Sequence, residues 1–205
     1  MKNKYWILMG DVVGSKKNAG NILAKHFAAM AAYINQTYQT EILSPLTITL
    51  GDEFQGIVKN CRIGEEIILA AEEWLLQLDI VIRIRYVLQF GEIETPINHK
   101  IAYGMLGSGL TETRNILNEL KKEKDRFKIC GVENASVHND YWVLYQSITD
   151  AWNLNDRNLV ADFLTLDDYK KVAVKQGKNQ SLMWKRERSL KIREYKIIKE
   201  LILKD

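Results

Sequence analysis

Two short acidic stretches carry the residues best suited to chemistry: Ile7-Leu8-Met9-Gly10-Asp11-Val12-Val13-Gly14-Ser15 and Thr47-Ile48-Thr49-Leu50-Gly51-Asp52-Glu53-Phe54-Gln55-Gly56. In the first, an apolar run ends in Asp11 and leaves through Gly14 and Ser15 toward Lys16 and Lys17. In the second, a β-branched run is interrupted by Gly51-Asp52-Glu53 and then resumes, the pattern of an antiparallel hairpin with carboxylates at its tip. Strand-end carboxylates that meet in space suit a hard cation such as Mg²⁺ or Mn²⁺, which takes oxygen ligands and completes its shell with phosphate oxygens. Gly-Asp is also favoured in turns on conformational grounds alone. It is Asp11, at the end of a separate strand, that gives the metal reading its weight.

A third stretch, Gly104-Met105-Leu106-Gly107-Ser108-Gly109, leads into a helix over residues 110–124 capped around Ser108 or Thr111. A helix entry of this kind offers free backbone N–H groups to an anion. Arg114, one turn in, either meets that anion or pairs with Glu112, Asn118 or a neighbouring carboxylate. His26, His99 and His138 have no ligand-spaced partners.

The elements that must position these residues follow from periodicity. A central strand covers residues 4–13. An amphipathic helix over 21–38 repeats Ile22, Leu23, Phe27, Met30, Ala31 and Ile34 at helical spacing. After a turn at 40–45 comes the hairpin, 46–59. A second helix over 63–78 buries Ile67, Leu69, Ala70, Ala71, Trp74 and Leu75 and turns Glu65, Glu66, Glu72 and Glu73 outward. A strand over 80–94, the Gly-led helix and a further strand over 126–132 complete a β-α-β-β-α-β order with an extra helix and strand. That is a split βαβ arrangement with both first helices on one face. It predicts strand one beside the hairpin's first strand, with Asp11 next to Asp52.

Residues 133–139 are a polar hinge separating a domain over 1–135 from an all-α domain over 139–205. Trp142 and Trp152 read as core of this helical half. Thr165 is the expected N-cap of a helix over 166–176, Gly177 breaks it, and another helix starts at Asn179. A small residue, Ala173, before a Gly turn and Met183 after it is the layout of a helix-turn-helix. Residues 156–205 carry 13 Lys/Arg against 8 Asp/Glu, whereas 1–155 carry 16 against 18. A basic tail behind a near-neutral front suits a polyanion partner, although a solvated helix face has the same composition.

At 205 residues, with 46% hydrophobic and 27% charged content, the chain is an ordinary globular one. Its N-terminal apolar run is cut by Gly10-Asp11 and no later run spans a bilayer, which predicts a cytoplasmic protein without membrane segments. Cys61 and Cys130 are too far apart in sequence for a metal-ligand motif and read as reduced.

The Asp11-Val12-Val13-Gly14-Ser15 stretch, the hairpin Leu50-Gly51-Asp52-Glu53-Phe54-Gln55-Gly56 and the element order resemble the catalytic palm of class III nucleotide cyclases. The closer resemblance is to the SatD family, whose members look like that palm followed by a helix-turn-helix. It covers nearly the whole chain and implies an α+β, ferredoxin-like fold. By this resemblance Asp11, Asp52 and the Val12 carbonyl hold Mg²⁺ or Mn²⁺. Gly14, Ser15, Lys16, Glu53, Gly107, Ser108 and Arg114 are then the contacts of a nucleotide or phosphate. The chain departs from the cyclase pattern at Leu110, where an Asn is expected four residues before the Arg, and at Ile48, where a base-selecting Lys is expected. Neither apolar side chain can hydrogen-bond a nucleotide. In the tail, Lys178, Asn179, Gln180, Ser181, Trp184, Lys185, Arg186 and Arg188 are the candidate DNA contacts: amides for an adenine edge, cations for phosphate or guanine. Glu187 and Lys178 depart from the apolar residues usual at their positions.

The first reading is therefore a cytoplasmic transcription-regulator-like protein, a palm sensing a phosphorylated ligand or nucleotide with Mg²⁺ and a helix-turn-helix contacting DNA as a homodimer. The second is a metal-dependent nucleotidyl or phosphoryl transferase. The third is a protein-interaction module with a degenerate site.

Overall fold

In the computed structural model, residues 3–14, 20–49 and 51–204 are described. The elements follow the order β1 (Lys4–Val12), α1 (Gly20–Thr37), β2 (Ile42–Ile48), β3 (Glu53–Val58), α2 (Cys61–Leu75), β4 (Ile84–Glu92), α3 (Ser108–Leu120) and β5 (Phe127–Cys130). Five helices complete the chain: α4 (Ala135–Thr149), α5 (Leu154–Leu166), α6 (Tyr169–Gln176), α7 (Gln180–Ser189) and α8 (Ile192–Ile202). The fold is α+β. Its mixed sheet has the order β2-β3-β1-β4-β5, antiparallel except for the β4–β5 pair.

This order corrects one sequence expectation. The neighbour of β1 is β3, the second strand of the hairpin, and its register sets Asp11 opposite Glu53 rather than Asp52. β2 is an edge strand whose pairing with β3 shifts register on both sides of Ser44. Pro45 lies in that irregular stretch, where the lack of an N–H costs no ladder bond. The turn expected at 40–45 is therefore mostly strand.

Alternation along β1 divides the core in two. Leu8 and Val12 face α1 and α2, joining Phe27, Met30, Ile34, Ile67 and Ile68. Ile7 and Met9 face the other way, joining Val87, Leu110, Leu117 and Leu120 beneath α3. Asn60 starts α2 by accepting the Ile63 N–H at 2.9 Å, an N-cap that satisfies an otherwise orphaned donor.

The first core continues without a break into the helical half. A row of rings links them: Tyr86 stacks on Phe127 with centroids 5.6 Å apart, Phe127 on Trp142 at 4.6 Å, and Tyr145 meets Tyr195 at 5.5 Å. Three of the four acidic residues of α2, Glu65, Glu72 and Glu73, attach the helical half rather than turning outward, which corrects the second sequence expectation, while Glu66 pairs with Arg62 on its own helix. Glu65 is 2% exposed and accepts from Trp142 Nε1 at 3.3 Å. Glu72 takes the Arg126 guanidinium through both oxygens, at 3.4 and 3.1 Å, and Glu73 accepts from Tyr195 Oη at 2.8 Å. Burial opposes the charge of Arg126, but Glu72 and Asp150 overcome it and raise its pKa above the ordinary arginine value.

Gly177 ends α6 with φ of 58°, a left-handed cap that glycine adopts without strain. Asp168, not Thr165, caps α6, accepting the Lys170 N–H at 2.7 Å. Cys61 and Cys130 are not joined in a disulfide. No described helix is long and apolar enough to cross a membrane.

Candidate functional site: the sheet face beneath the third helix

Residues of odd number in β1 and β3 point toward α3, so the pleat fixes which polar groups meet there. Glu53, Asp11 and Arg85 form a row across β3, β1 and β4, each paired with the next in register. Asp11 is 4% exposed. Its Oδ1 lies 3.4 Å from Arg85 Nη1 and its Oδ2 3.2 Å from Lys121 Nζ, just past the C-terminus of α3. Lys121 also donates to Asn118 Oδ1 at 3.2 Å. Asp11 is therefore a buried carboxylate held by two cations. Neither cation was picked out from the sequence. Arg85 carried a usable signal, since it shares parity with the buried Val87 and Gln89 on β4, whereas Lys121 carried none.

The divalent ion implied by the resemblance can be tested on these contacts. Both oxygens of Asp11 already face positive side chains, and among the described residues no three His, Cys, Asp or Glu side chains converge as a ligand set. A divalent ion at Asp11 would sit against two cations, so the arrangement does not fit one. Asp52 is half-buried at the hairpin tip and its carbonyl accepts the Val12 N–H at 2.9 Å. The Val12 side chain is buried in the core facing α1. Gly14 is an exposed turn residue, while Ser15 and Lys16 lie outside the described residues.

A second feature of this face is a groove of about 240 Å³ lined by Thr49, Gln55, Tyr103, Thr111, Arg114 and Asn115, with Met105 and Leu110 at its apolar side. Gln55 is anchored by donating to the Ala102 carbonyl at 3.0 Å. Arg114 is exposed, and the two named partners the sequence offers it are engaged elsewhere: Glu112 by Gln89 at 3.0 Å and Asn118 by Lys121. Arg114 and Lys121 share a face of α3, two turns or about 10 Å apart along the axis. Tyr103 stands 68% exposed at the rim.

The glycines before α3 have another task. A Cβ on Gly109 would come within 2.4 Å of the Glu92 nitrogen, and one on Gly107 within 2.3 Å of the Glu92 oxygen. They let the start of α3 lie directly on the end of β4, with the exposed Ser108 between them. That start is roughly 20 Å along α3 from the Lys121 end.

In the helical half, α6 and α7 flank the Gly177 turn, and Lys178 N–H returns to the Ala173 carbonyl at 2.9 Å. Lys178, Asn179, Gln180, Ser181, Trp184, Lys185 and Arg188 are all exposed. The Asn179 side chain caps α7, accepting the Ser181 N–H at 2.7 Å. Arg186 is half-buried and paired with Asp156, and the Arg188 guanidinium lies 4.9 Å over the Trp184 ring.

No curated protein matches this chain. Among solved structures, two of a bacterial light-regulated adenylyl cyclase are similar at 13% identity, with TM-scores of 0.48 and 0.47. The match covers 63% of this chain, which spans 43% of the length of that cyclase. The guanylyl cyclase Cya2 is similar at 17% identity and a TM-score of 0.41, over 58% of this chain and 71% of the other. The model of one protein family matches residues 5–202, and the chain belongs to that family, the SatD family.

Proposed function

We propose that the groove beneath α3 binds a nucleotide or a related phosphorylated small molecule and that the exposed face of α7 contacts DNA, the two acting as parts of one regulator. The observation that carries the ligand reading is Arg114, an exposed guanidinium in a polar groove, with the nearby Glu112 accepting from Gln89. A phosphate meeting Arg114 gains two parallel charge-assisted hydrogen bonds. Lys121, 38% exposed at its side chain, offers a second cation along the same helix face. Tyr103 gives a flat apolar surface for a base at the rim. Mg²⁺ or Mn²⁺ enters this reading with the phosphates of the ligand rather than through Asp11.

Binding is favoured over turnover because Leu110, 8% exposed, belongs to the apolar core beneath α3 and can supply no hydrogen bond to a reacting group. For DNA, the supporting feature is the run of exposed Gln180, Ser181, Lys185 and Arg188 on α7. One helix of this size reads a few base pairs, so two copies of the chain are expected on a site.

The test is calorimetric titration of ATP, GTP and cyclic nucleotides, each with Mg²⁺, with Mn²⁺ and with EDTA, on the wild type and R114Q. Binding weakened about 10-fold or more in R114Q supports the groove, since a charge-assisted bond contributes roughly 1.5–3 kcal/mol. Absence of binding by every phosphorylated compound, or binding unchanged in R114Q, refutes it.

A further inference from the structure

Helix α8 carries two apolar stripes, although packing on one core calls for only one. Its buried stripe is Ile192, Tyr195, Ile198 and Ile202. Beside it Ile197 and Leu201, one turn apart, form a second; Ile197 is 47% exposed and Leu201 half-buried. Helix α4 repeats the arrangement, with Trp142, Tyr145 and Ile148 buried and Leu144 55% exposed. The two helices meet through the Tyr145–Tyr195 contact, and between them runs an open groove of about 390 Å³, walled by Leu144, Ile197 and Leu201 above Ile148 and Ile198. Every residue lining it belongs to α4, to α8 or to Lys191, the N-cap position of α8, so no other described element covers it.

The charges beside this stripe select its occupant. Arg193 and Glu200 flank Ile197 along α8, one turn before it and one after. Both are exposed, and among the described residues neither is in an ion pair. Two turns separate them, about 10 Å along the axis, so they share one flank of the helix, and their midpoint falls beside Ile197. Neither lines the groove, which places that flank on the side of Ile197 away from α4. A two-fold contact needs a surface complementary to itself. A two-fold axis at that midpoint, setting one α8 antiparallel to another, brings Arg193 of each copy level with the partner's Glu200 on the same flank. The face is thus apolar at the axis and opposite in charge at equal distances on either side of it.

We propose that the α4–α8 face is where a second copy of this chain docks, with α8 packed antiparallel on its counterpart, Ile197 at the two-fold axis and Arg193 paired with the partner's Glu200. Leu144 and Leu201 extend the apolar contact on the α4 side of the axis. The 11 residues of α8 span roughly 16 Å, and two helices side by side are about 20 Å wide. A face of this size is smaller than the roughly 800 Å² per partner of a standard interface, so the dimer is a reversible one that dissociates on dilution. It supplies the second copy that DNA recognition by α7 calls for, but it stands on this face alone and needs neither DNA nor a ligand.

Sedimentation velocity of the whole chain at low salt, from about 1 µM to 1 mM, tests this and should show a monomer–dimer equilibrium. I197E, which sets two carboxylates against each other at the axis, should weaken the dimer about 10-fold or more. R193E and E200R each replace two ion pairs by like charges and should each weaken it about 10-fold. The double variant R193E/E200R exchanges the charges and should recover most of that loss, a result that only direct pairing of the two positions gives. A wild type that stays monomeric throughout, a dimer that I197E leaves intact, or a double variant no tighter than the single ones overturns the proposal. If I197E does not fold, the charge-exchange series decides.

Discussion

Replacing Asp11 by asparagine separates two accounts of the site beneath α3. As a metal ligand awaiting its ion, Asp11 would face Glu53 across the β1–β3 ladder as an uncompensated like charge, and D11N would relieve that repulsion and stabilise the metal-free protein. As a carboxylate held by cations, it loses two ion pairs instead. The Arg85 contact at 3.4 Å, between side chains 15% and 6% exposed, has a gross Coulomb energy of roughly 5 kcal/mol at an effective dielectric of 20. Much of that is offset by desolvation. The Lys121 contact is more exposed and is screened to about 1 kcal/mol or less. Relief of the Glu53 repulsion returns up to about 1 kcal/mol. The net expectation is a loss of about 2–3 kcal/mol, or roughly 4–12 °C in Tm for a chain of this size. Urea and thermal unfolding followed by circular dichroism, in EDTA, measure it. A D11N protein as stable as the wild type, or more so, would refute the charge-compensated reading and return Asp11 to the metal site.

The junction between sheet and helices rests on Arg126, so R126M, which leaves the buried Glu72 without its cation and Asp150 with Arg83 alone, should cost about 3–5 kcal/mol in urea unfolding. The double variant E72Q/R126M should cost less than the sum of the single ones because the two groups are coupled; simple additivity would argue that they act independently. For α7, K185A/R188A should weaken DNA binding across sequences and reduce the slope of log affinity against log salt by about 2, close to 0.9 for each phosphate contact removed. An unchanged slope would place the DNA contact elsewhere or dismiss it.

What was legible in the sequence was local. The alternation of β1, the 3.6-residue stripe of α1 and the glycine break at Gly177 all report the geometry of their own segment, and they gave the α+β order and the turn between α6 and α7. The glycines before α3 were visible too, but their purpose was not. Close approach to Glu92 and anion binding leave the same mark in a sequence, and only the packing of α3 on β4 distinguishes them.

The chemistry of the site depended on relations the chain does not spell out. Whether Asp52 or Glu53 faces Asp11 is a matter of one residue of register, and with a period of two that residue selects the opposite face of the sheet. Arg85 and Lys121 reach Asp11 from other elements, Arg85 from 74 residues away. The acids of α2 were read as a solvated face because unpaired charges belong in water. The tertiary structure covered them with Arg126, Trp142 and Tyr195, since a charge or a hydrogen-bonding group can be buried wherever a distant partner comes to meet it. Sequence determined where the charges are; the fold decided which of them meet.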